Sequence, residues 1–251
     1  MSSSRAVLVT GASRGIGAAI ASAFAQAGDR VAVHYAASRG AAREVVDGLA
    51  GTGHTQVQAD LADPGAVRQM VDQAADRLGG LDVLVNNAGV YVENQIDEDD
   101  YQRWQRVWRE TLDVNLFGAV NVTWCAVRHM RGRGGGRIVN VSSRGAFRGE
   151  PTHLAYGASK GGLNSFTQSL AKALGGDRIV VTGIAPGFVA TDMANEILNG
   201  PRRDEILGQS PFGRVATVDE VARAVLFLAS PDMEFTSGTI LDLNGASHLR
   251  I

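Results

Sequence analysis

The chain is poor in several residue types, and each scarcity excludes a class of protein. Cys125 is the only cysteine, so an internal disulfide is impossible and we expect no dependence on an oxidising compartment. No apolar run approaches the roughly 20 residues of a membrane span, and a net charge of -2 offers no general attraction to nucleic acid or anionic lipid. The five histidines are scattered without metal-ligand spacing. We predict a cytoplasmic protein without a metal and without a nucleic-acid or membrane partner.

Lysine is also scarce: only Lys160 and Lys172 occur among 24 basic residues. Lys160 follows Tyr156 by four residues in the string YGASK, which places both side chains on one face of a helix. A nearby cation favours the phenolate and lowers the pKa of a tyrosine from its usual value of ~10. Tyr156 is therefore a candidate proton donor and acceptor near neutral pH. A chance Tyr/Lys pair on a surface helix is the alternative that this spacing alone leaves open.

The pattern of apolar runs predicts the fold class. Runs rich in valine, isoleucine and leucine show little polar alternation, as expected for strands covered on both faces. These runs begin at Ala6, Val31, Leu81, Arg137, Arg178 and Thr239. Helical stretches separate them, over residues 15–27, 40–49, 64–78, 98–130, 156–174 and 217–228. The alternation predicts an α/β fold: one doubly wound Rossmann-type domain over residues 1–251, with a parallel sheet of about seven strands and helices on both faces.

One long segment, residues 188–212, shows neither period and carries two prolines. We predict that it is a substrate loop or lid. An ordinary irregular connection between a strand and a helix is the alternative.

A glycine-rich string, TGASRGIG at residues 10–17, follows the first predicted strand and opens the first predicted helix. In that context it predicts a dinucleotide site, because small residues let the backbone approach a pyrophosphate and the helix N-terminus directs N–H groups at the anion. A tight turn is the alternative. The predicted contacts are Gly11, Ser13, Arg14, Gly15, Ile16 and Gly17.

The type of dinucleotide follows from a missing acid. NAD enzymes place an acidic residue roughly 20 positions after the glycine turn, yet residues 30–43 contain no Asp or Glu. They contain Tyr35, Ser38 and Arg39 instead, and Arg14 projects from the glycine turn. Because arginine pairs with a 2′-phosphate through its planar fork, we predict NADP(H) as the cofactor.

Over nearly its whole length the chain resembles the short-chain dehydrogenase/reductase family, and within it the 3-oxoacyl-(acyl-carrier-protein) reductases. The resemblance is carried by TGASRGIG, Asp60-Leu61, NNAG at residues 86–89, Asn115, Ser143, YGASK and Pro186-Gly187. It implies NADPH-dependent reduction of a carbonyl, such as a 3-oxoacyl thioester or a related ketone.

The resemblance also implies roles for four catalytic residues. Tyr156 would donate the proton, Ser143 would hydrogen-bond the carbonyl oxygen, and Lys160 would bind the nicotinamide ribose and lower the tyrosine pKa. Asn115 would hold a water behind Lys160, although a polar helix residue bonded to backbone is equally expected at that position. Strand alternation allows only one of Ser142 and Ser143 to face the cofactor.

For the cofactor, the resemblance implies Asp60 and Leu61 beside the adenine, with a turn residue as the alternative for Asp60. Further implied contacts are Asn87, Ala88 and Gly89 along the ribose, Pro186 and Gly187 in the nicotinamide pocket, Thr191 on the carboxamide, and Tyr156 and Lys160. Substrate-side candidates are Val90, Tyr91, Arg144, Phe147, His153, Phe188 and Met193.

The resemblance implies a homotetramer with the fourth and fifth helices between subunits. An acyl carrier protein is a possible partner, and its docking surface would be the arginines Arg128, Arg131, Arg133 and Arg137. The C-terminal string LDLNGASHLRI departs from the family pattern, so we expect it to contact a neighbouring subunit. Two alternatives remain open: a sugar or secondary-alcohol dehydrogenase using the same four residues, and a non-catalytic dinucleotide-sensing protein.

Overall fold

The computed structural model describes residues 4–191 and 200–250. Its strands are β1 (Ala6–Val9), β2 (Arg30–Tyr35), β3 (Thr55–Gln58), β4 (Val83–Asn86), β5 (Gly136–Val141), β6 (Ile179–Pro186), β7 (Val189–Ala190), β8 (Ala216–Thr217) and β9 (Ile240–Leu243). Its α-helices are α1 (Gly15–Gln26), α2 (Arg39–Asp47), α3 (Pro64–Leu78), α4 (Tyr101–Leu112), α5 (Ala119–Gly132), α6 (Gly145–Arg148), α7 (Leu154–Leu174), α8 (Arg203–Leu207) and α9 (Val218–Leu228).

Seven strands form one parallel sheet in the order β3-β2-β1-β4-β5-β6-β9. The strand order reverses between β1 and β4, and in doubly wound sheets the crevice at such a reversal, outside the carboxyl ends of the strands, is the ligand site. The glycine turn follows β1 and the NNAG string ends β4, so both lie at this crevice. The predicted doubly wound α/β domain with about seven parallel strands is confirmed.

Two apolar cores cover the two faces of the sheet. Successive residues of a strand point to opposite faces, so Leu8 packs in one core with Met70, while Val7 packs in the other with Phe24. All four side chains are at most 1% exposed. Burial on both faces explains why the strands appear as continuous apolar runs in the sequence.

The predicted helix over residues 98–130 is interrupted. It begins later than expected, at Tyr101, because the Asp100 side chain accepts hydrogen bonds from the backbone N–H groups of Gln102 and Arg103, both at 2.9 Å. A π-helical turn, Asp113–Gly118, then separates α4 from α5. Such turns often occur at functional sites.

The described parts of residues 188–212 contain two short regular elements. β7 pairs in parallel with β8, the Ala216 N–H donates to the Phe188 carbonyl at 3.0 Å, and α8 follows. Backbone pairing thus orders the start of the segment. Its centre, including Met193, lies outside the described residues, and its role as a lid stays a prediction. Among the helices described, none has the length and apolar composition needed to cross a bilayer.

Candidate active site

The glycine turn after β1 and the loop after β4 form one unit. The Asn87 side-chain amide donates to the carbonyls of Thr10 and Gly11, at 2.9 and 3.1 Å, and the Thr10 hydroxyl accepts the N–H groups of Asn87 and Ala88. A Cβ at Gly17 would lie 2.3 Å from the Gly11 carbonyl oxygen. Close packing of this kind requires glycine at position 17, and the glycine turn presents backbone atoms without side chains to a ligand.

The N-terminus of α1 is available to a ligand. Its N-cap residue, Arg14, makes no side-chain capping hydrogen bond and is exposed. The first N–H groups of the helix therefore lack the side-chain partner that most helices provide. Gly15 adopts φ of +55°, and a Cβ on it would lie 3.6 Å from the Thr191 Cγ2. A pyrophosphate fits this cradle of bare backbone and helix N-terminus.

The residues predicted near a 2′-phosphate separate into two groups. Tyr35 is 5% exposed and its hydroxyl donates to Gln58 Oε1 at 3.4 Å, so it serves packing between β2 and β3. Ser38 and Arg39 are exposed at the start of α2. Within the described part of the chain, Arg14 and Arg39 make no ion pair. Arg14 and Arg39, which lie beyond the carboxyl ends of β1 and β2, are thus two cations without an ion-pair partner among the described residues.

Asp60 and Leu61 also have internal roles. The Asp60 carboxylate accepts the Ala62 N–H at 2.9 Å, which is the turn role considered as the alternative. Leu61 is 5% exposed and packs in the core that covers α3. Asp60 is exposed, so its second carboxylate oxygen remains accessible.

Sequence reasoning missed His34, which is 1% exposed at the end of β2. Its Nδ1 accepts the Gly11 N–H at 3.0 Å, so Nε2 carries the proton and donates to the Ala59 carbonyl at 3.1 Å. Burial lowers the pKa of His34 to about 4, so the ring is neutral. His34 therefore joins the glycine turn to the loop that contains Asp60. Its position inside an apolar run was the available signal.

Ser143 and Tyr156 meet at the carboxyl end of β5. Their side chains are hydrogen-bonded to each other, and Ser143 Oγ accepts the Gly145 N–H at 3.0 Å. Ser142 points away and donates to the Lys160 carbonyl at 3.4 Å. Of the two adjacent serines, Ser143 is the one that faces the tyrosine.

The electrostatics of the Tyr/Lys pair differ from the expectation. Burial raises the pKa of Tyr156, and the hydrogen bond with Ser143 opposes this rise. Lys160 is 4% exposed, donates to the Val141 carbonyl at 2.9 Å, and has a pKa lowered to about 8 by burial. Its ammonium lies 5.8 Å from the Tyr156 ring centroid. The expectation of a lowered Tyr156 pKa is wrong for this structure, because desolvation of the phenolate is the largest effect on that pKa and raises it.

Asn115 lies in the π-helical turn and is 1% exposed. Its side-chain amide accepts the Val90 N–H at 2.7 Å and donates to the Val90 carbonyl and the Ser159 hydroxyl, at 2.9 and 3.2 Å. A Cβ on Gly89 would lie 3.2 Å from Asn115 Oδ1 and 3.5 Å from Lys160 Nζ. Asn115 thus fastens the loop after β4 beside Lys160, and its side chain is bonded to backbone as the alternative had it.

An aromatic group borders the tyrosine. The rings of Tyr91 and His153 stack with centroids 3.7 Å apart and an interplanar angle of 10°, and Tyr91 meets Tyr156 edge to face at 4.7 Å. Burial and the nearby Glu150 raise the pKa of Tyr91 to about 12, while burial lowers the pKa of His153. Two neutral, planar side chains therefore form a wall, and the Tyr91 ring of this wall contacts the ring of Tyr156.

The four arginines predicted to form a docking surface for a carrier protein have partners within the chain. Arg131 pairs with Asp177 at 2.7 Å, Arg133 pairs with Asp82 at 2.6 Å, and Arg137 pairs with Glu234 at 3.7 Å. Arg128 lies over the ring of Trp124 at 5.2 Å. Local carboxylates therefore compensate three of the four charges, and docking of a carrier protein on these arginines stays a prediction.

Comparisons with known proteins agree with the geometry. A family model described as enoyl-(acyl carrier protein) reductase matches residues 11–248. An acetoacetyl-CoA reductase of Rhizobium meliloti is 36% identical over 98% of this chain and 99% of its own length. A 3-oxoacyl-(acyl-carrier-protein) reductase of Vibrio cholerae is 34% identical over 98% of both chains.

Solved structures match as well. A short chain dehydrogenase from Burkholderia cenocepacia, crystallised in complex with NADP, superposes with a TM-score of 0.86, 36% identity and 97% coverage of both chains. A dehydrogenase/reductase from Sinorhizobium meliloti gives a TM-score of 0.87 at 31% identity, covering 98% of this chain and 95% of its own.

Proposed function

Because the chain belongs to the short-chain dehydrogenase/reductase family, we propose that it reduces a ketone with NADPH and that a 3-oxoacyl thioester is its substrate class. The observation that carries the proposal is the hydrogen-bonded pair of Ser143 and Tyr156 with the buried Lys160 beside it. The names of the Rhizobium and Vibrio relatives, both reductases of 3-oxoacyl thioesters, support the substrate class.

The cofactor proposal rests on the glycine turn and on two arginines. The bare backbone of the turn and the uncapped α1 suit a pyrophosphate, while Arg14 and Arg39 are exposed cations suited to a 2′-phosphate. The NADP bound to the Burkholderia neighbour supports the same choice. Bound NADPH would supply the hydride for the carbonyl carbon.

Three side chains would assist the hydride transfer, each in a different way. Tyr156 would donate its proton to the carbonyl oxygen, and its raised pKa keeps the phenol in the protonated form that donation needs. Ser143 would donate a hydrogen bond to the same oxygen, where negative charge develops. Lys160, with a pKa of about 8, is mostly protonated at neutral pH and would stabilise the phenolate that remains.

Asn115 would act less directly than the other three. By holding both backbone groups of Val90 it fixes the loop along Lys160, and a water relay in that space stays part of the proposal. For the substrate, the stacked Tyr91 and His153 offer a flat wall against which an acyl chain would pack. A coenzyme A thioester is the first choice, because the arginine surface for a carrier protein is compensated.

We also propose a homotetramer. Phe117 and Trp124 lie on the predicted subunit-facing helix and are 52% and 60% exposed. Large exposed apolar side chains of this kind are typical of a contact surface. Light scattering on the purified protein tests this, and a monomer would overturn it.

The activity is tested by following NADPH and NADH oxidation in parallel with acetoacetyl-CoA. We expect turnover with acetoacetyl-CoA and a higher kcat/KM for NADPH. The Tyr156→Phe variant should lose about 100-fold or more in kcat, because the general acid is removed, while NADPH affinity is kept. Tyr101→Phe, at an exposed tyrosine, is the matched control. Near-full turnover in Tyr156→Phe contradicts the assigned role.

A further inference from the structure

The C-terminal segment, residues 244–250, folds back onto the loop that follows Ser143. Arg144 Nη1 donates to the Ser247 hydroxyl at 2.6 Å, and the Arg250 guanidinium lies 4.1 Å from the centroid of the Phe147 ring. Arg250 is itself fixed by Asp242, which accepts its Nε–H at 2.7 Å. Two independent contacts therefore join this segment to residues 144–148 of the same chain.

Arg144 is the most buried of the residues that make these contacts. It is 4% exposed, donates to Gln209 Oε1 at 2.9 Å, lies 5.4 Å from the Phe188 ring centroid, and lines a cavity of about 420 Å³. Arg144 forms no ion pair with any residue that the structure describes. A buried guanidinium is costly unless its N–H groups are bonded, so Ser247 and Gln209 are what hold it in place.

The backbone of Arg144 is held as firmly as its side chain. Its N–H donates to the Pro186 carbonyl at 2.8 Å, and the Ser142 N–H donates to the Ile184 carbonyl at 2.8 Å. Ser143 lies between these two anchors, and its Oγ is bonded to Tyr156. Because Arg144 is one of these two anchors, we expect a displacement of Arg144 to shift Ser143 as well.

We propose that residues 244–250 position Ser143 within their own subunit, and that Arg144 is the positioning residue that transmits this restraint. The inference rests on the proposed ketoreductase function only for its effect on turnover. It gives the unusual C-terminal string a role inside the subunit, in addition to the neighbour contact expected from the sequence.

The first test uses the full chain with NADPH and acetoacetyl-CoA. Arg144→Met should lower kcat about tenfold or more, as expected when a reacting group is misplaced by a fraction of an ångström, with NADPH affinity unchanged. Arg144→Lys should recover part of the loss, because an ammonium reaches one of the two acceptors. Ser247→Ala should lower kcat less than Arg144→Met does. Arg43→Met, at an arginine with a 75% exposed side chain, is the control.

The second test needs no activity. The N–H groups of Gly145 and Ala146 both bond to Ser143, so hydrogen exchange at these amides reports the order of the loop. Exchange there should quicken about tenfold in Ser247→Ala and in Arg144→Met, and stay unchanged in β1. Unchanged exchange at the two amides overturns the proposal, and so does equal acceleration throughout the protein.

The two tests fail differently. If the wild type reduces no carbonyl, the proposed function falls, and hydrogen exchange still decides whether the C-terminal segment orders the Ser143 loop. If the wild type is active and Arg144→Met keeps full kcat, or loses NADPH affinity in proportion to kcat, the positioning role is wrong. Should Arg144→Met fail to fold, Ser247→Ala supplies both readouts.

Discussion

Protonation of His34 should destabilise the protein in mild acid. The ring is 1% exposed and its pKa is lowered from 6.5 to about 4 by burial, which outweighs the favourable Ala59 carbonyl. Between those two values the unfolded chain binds a proton at this site and the folded chain does not. The contribution of neutral His34 to the free energy of unfolding is therefore fully present above about pH 6.5 and is lost as the pH falls toward 4.

The magnitude follows from the same two values. Integrating the proton linkage from pH 7.5 to pH 5 gives a loss of about 2 kcal/mol in the free energy of unfolding. Protonated Nδ1 also cannot accept the Gly11 N–H, so the acid-induced damage begins at the glycine turn. In the folded protein His34 takes up its proton only near pH 4, so we expect NADPH affinity to weaken there.

Urea unfolding of the wild type and of His34→Asn, at fixed protein concentration and several pH values, isolates this effect. Asparagine keeps an acceptor near Nδ1, loses the Ala59 contact at a cost of about 1 kcal/mol, and does not titrate. The stability difference between the two proteins should thus change by about 2 kcal/mol, in favour of His34→Asn, from pH 7.5 to pH 5. A difference that stays constant over this range refutes the reasoning. His248→Asn is the control for a histidine substitution elsewhere in the chain.

Two further substitutions test the cofactor and substrate sides. Gly17→Ala puts a Cβ 2.3 Å from a backbone oxygen, so we expect NADPH affinity to fall at least about tenfold and the Tm to drop. Gly40→Ala, where a Cβ meets nothing within 4 Å, should keep both the affinity and the Tm. A fluorescence titration with NADPH compares the affinities of the two variants. Tyr91→Ala removes the ring stacked on His153, so the KM for acetoacetyl-CoA should rise several-fold with NADPH affinity unchanged. Tyr101→Ala, at an exposed tyrosine, should change neither quantity. Equal KM values for the two variants in steady-state assays would count against the aromatic wall.

The architecture was predictable because it follows from local patterns. Buried parallel strands produce continuous apolar runs, and the helix Pro64–Leu78 has both a proline at its start and Gly79 after its end. The strand Thr55–Gln58 was harder to recognise, since it lies at the sheet edge and reads TQVQ with one buried residue. Three of its four positions are polar, which removes the apolar signal.

The site was predictable as a set of motifs, but its energetics were not. The strings predict which residues come together, because parallel strands end at one edge of the sheet. They do not give the degree of burial, which decides the sign of the Tyr156 pKa shift and the neutral state of His34. The π-helical turn that holds Asn115 is equally invisible, since one wide turn leaves the helical periodicity nearly intact.

The scarcity of lysine has a practical consequence for chemical labelling. An amine-reactive reagent meets two lysine side chains with opposite properties: Lys172 is exposed, whereas Lys160 is 4% exposed beside Tyr156. A pKa lowered to about 8 increases the share of the nucleophilic, unprotonated form of Lys160, while burial limits its access to reagent. Fast modification at Lys172 therefore offers a place to attach a dye or a solid support, and slow modification at Lys160 becomes a direct report on how often the active site opens.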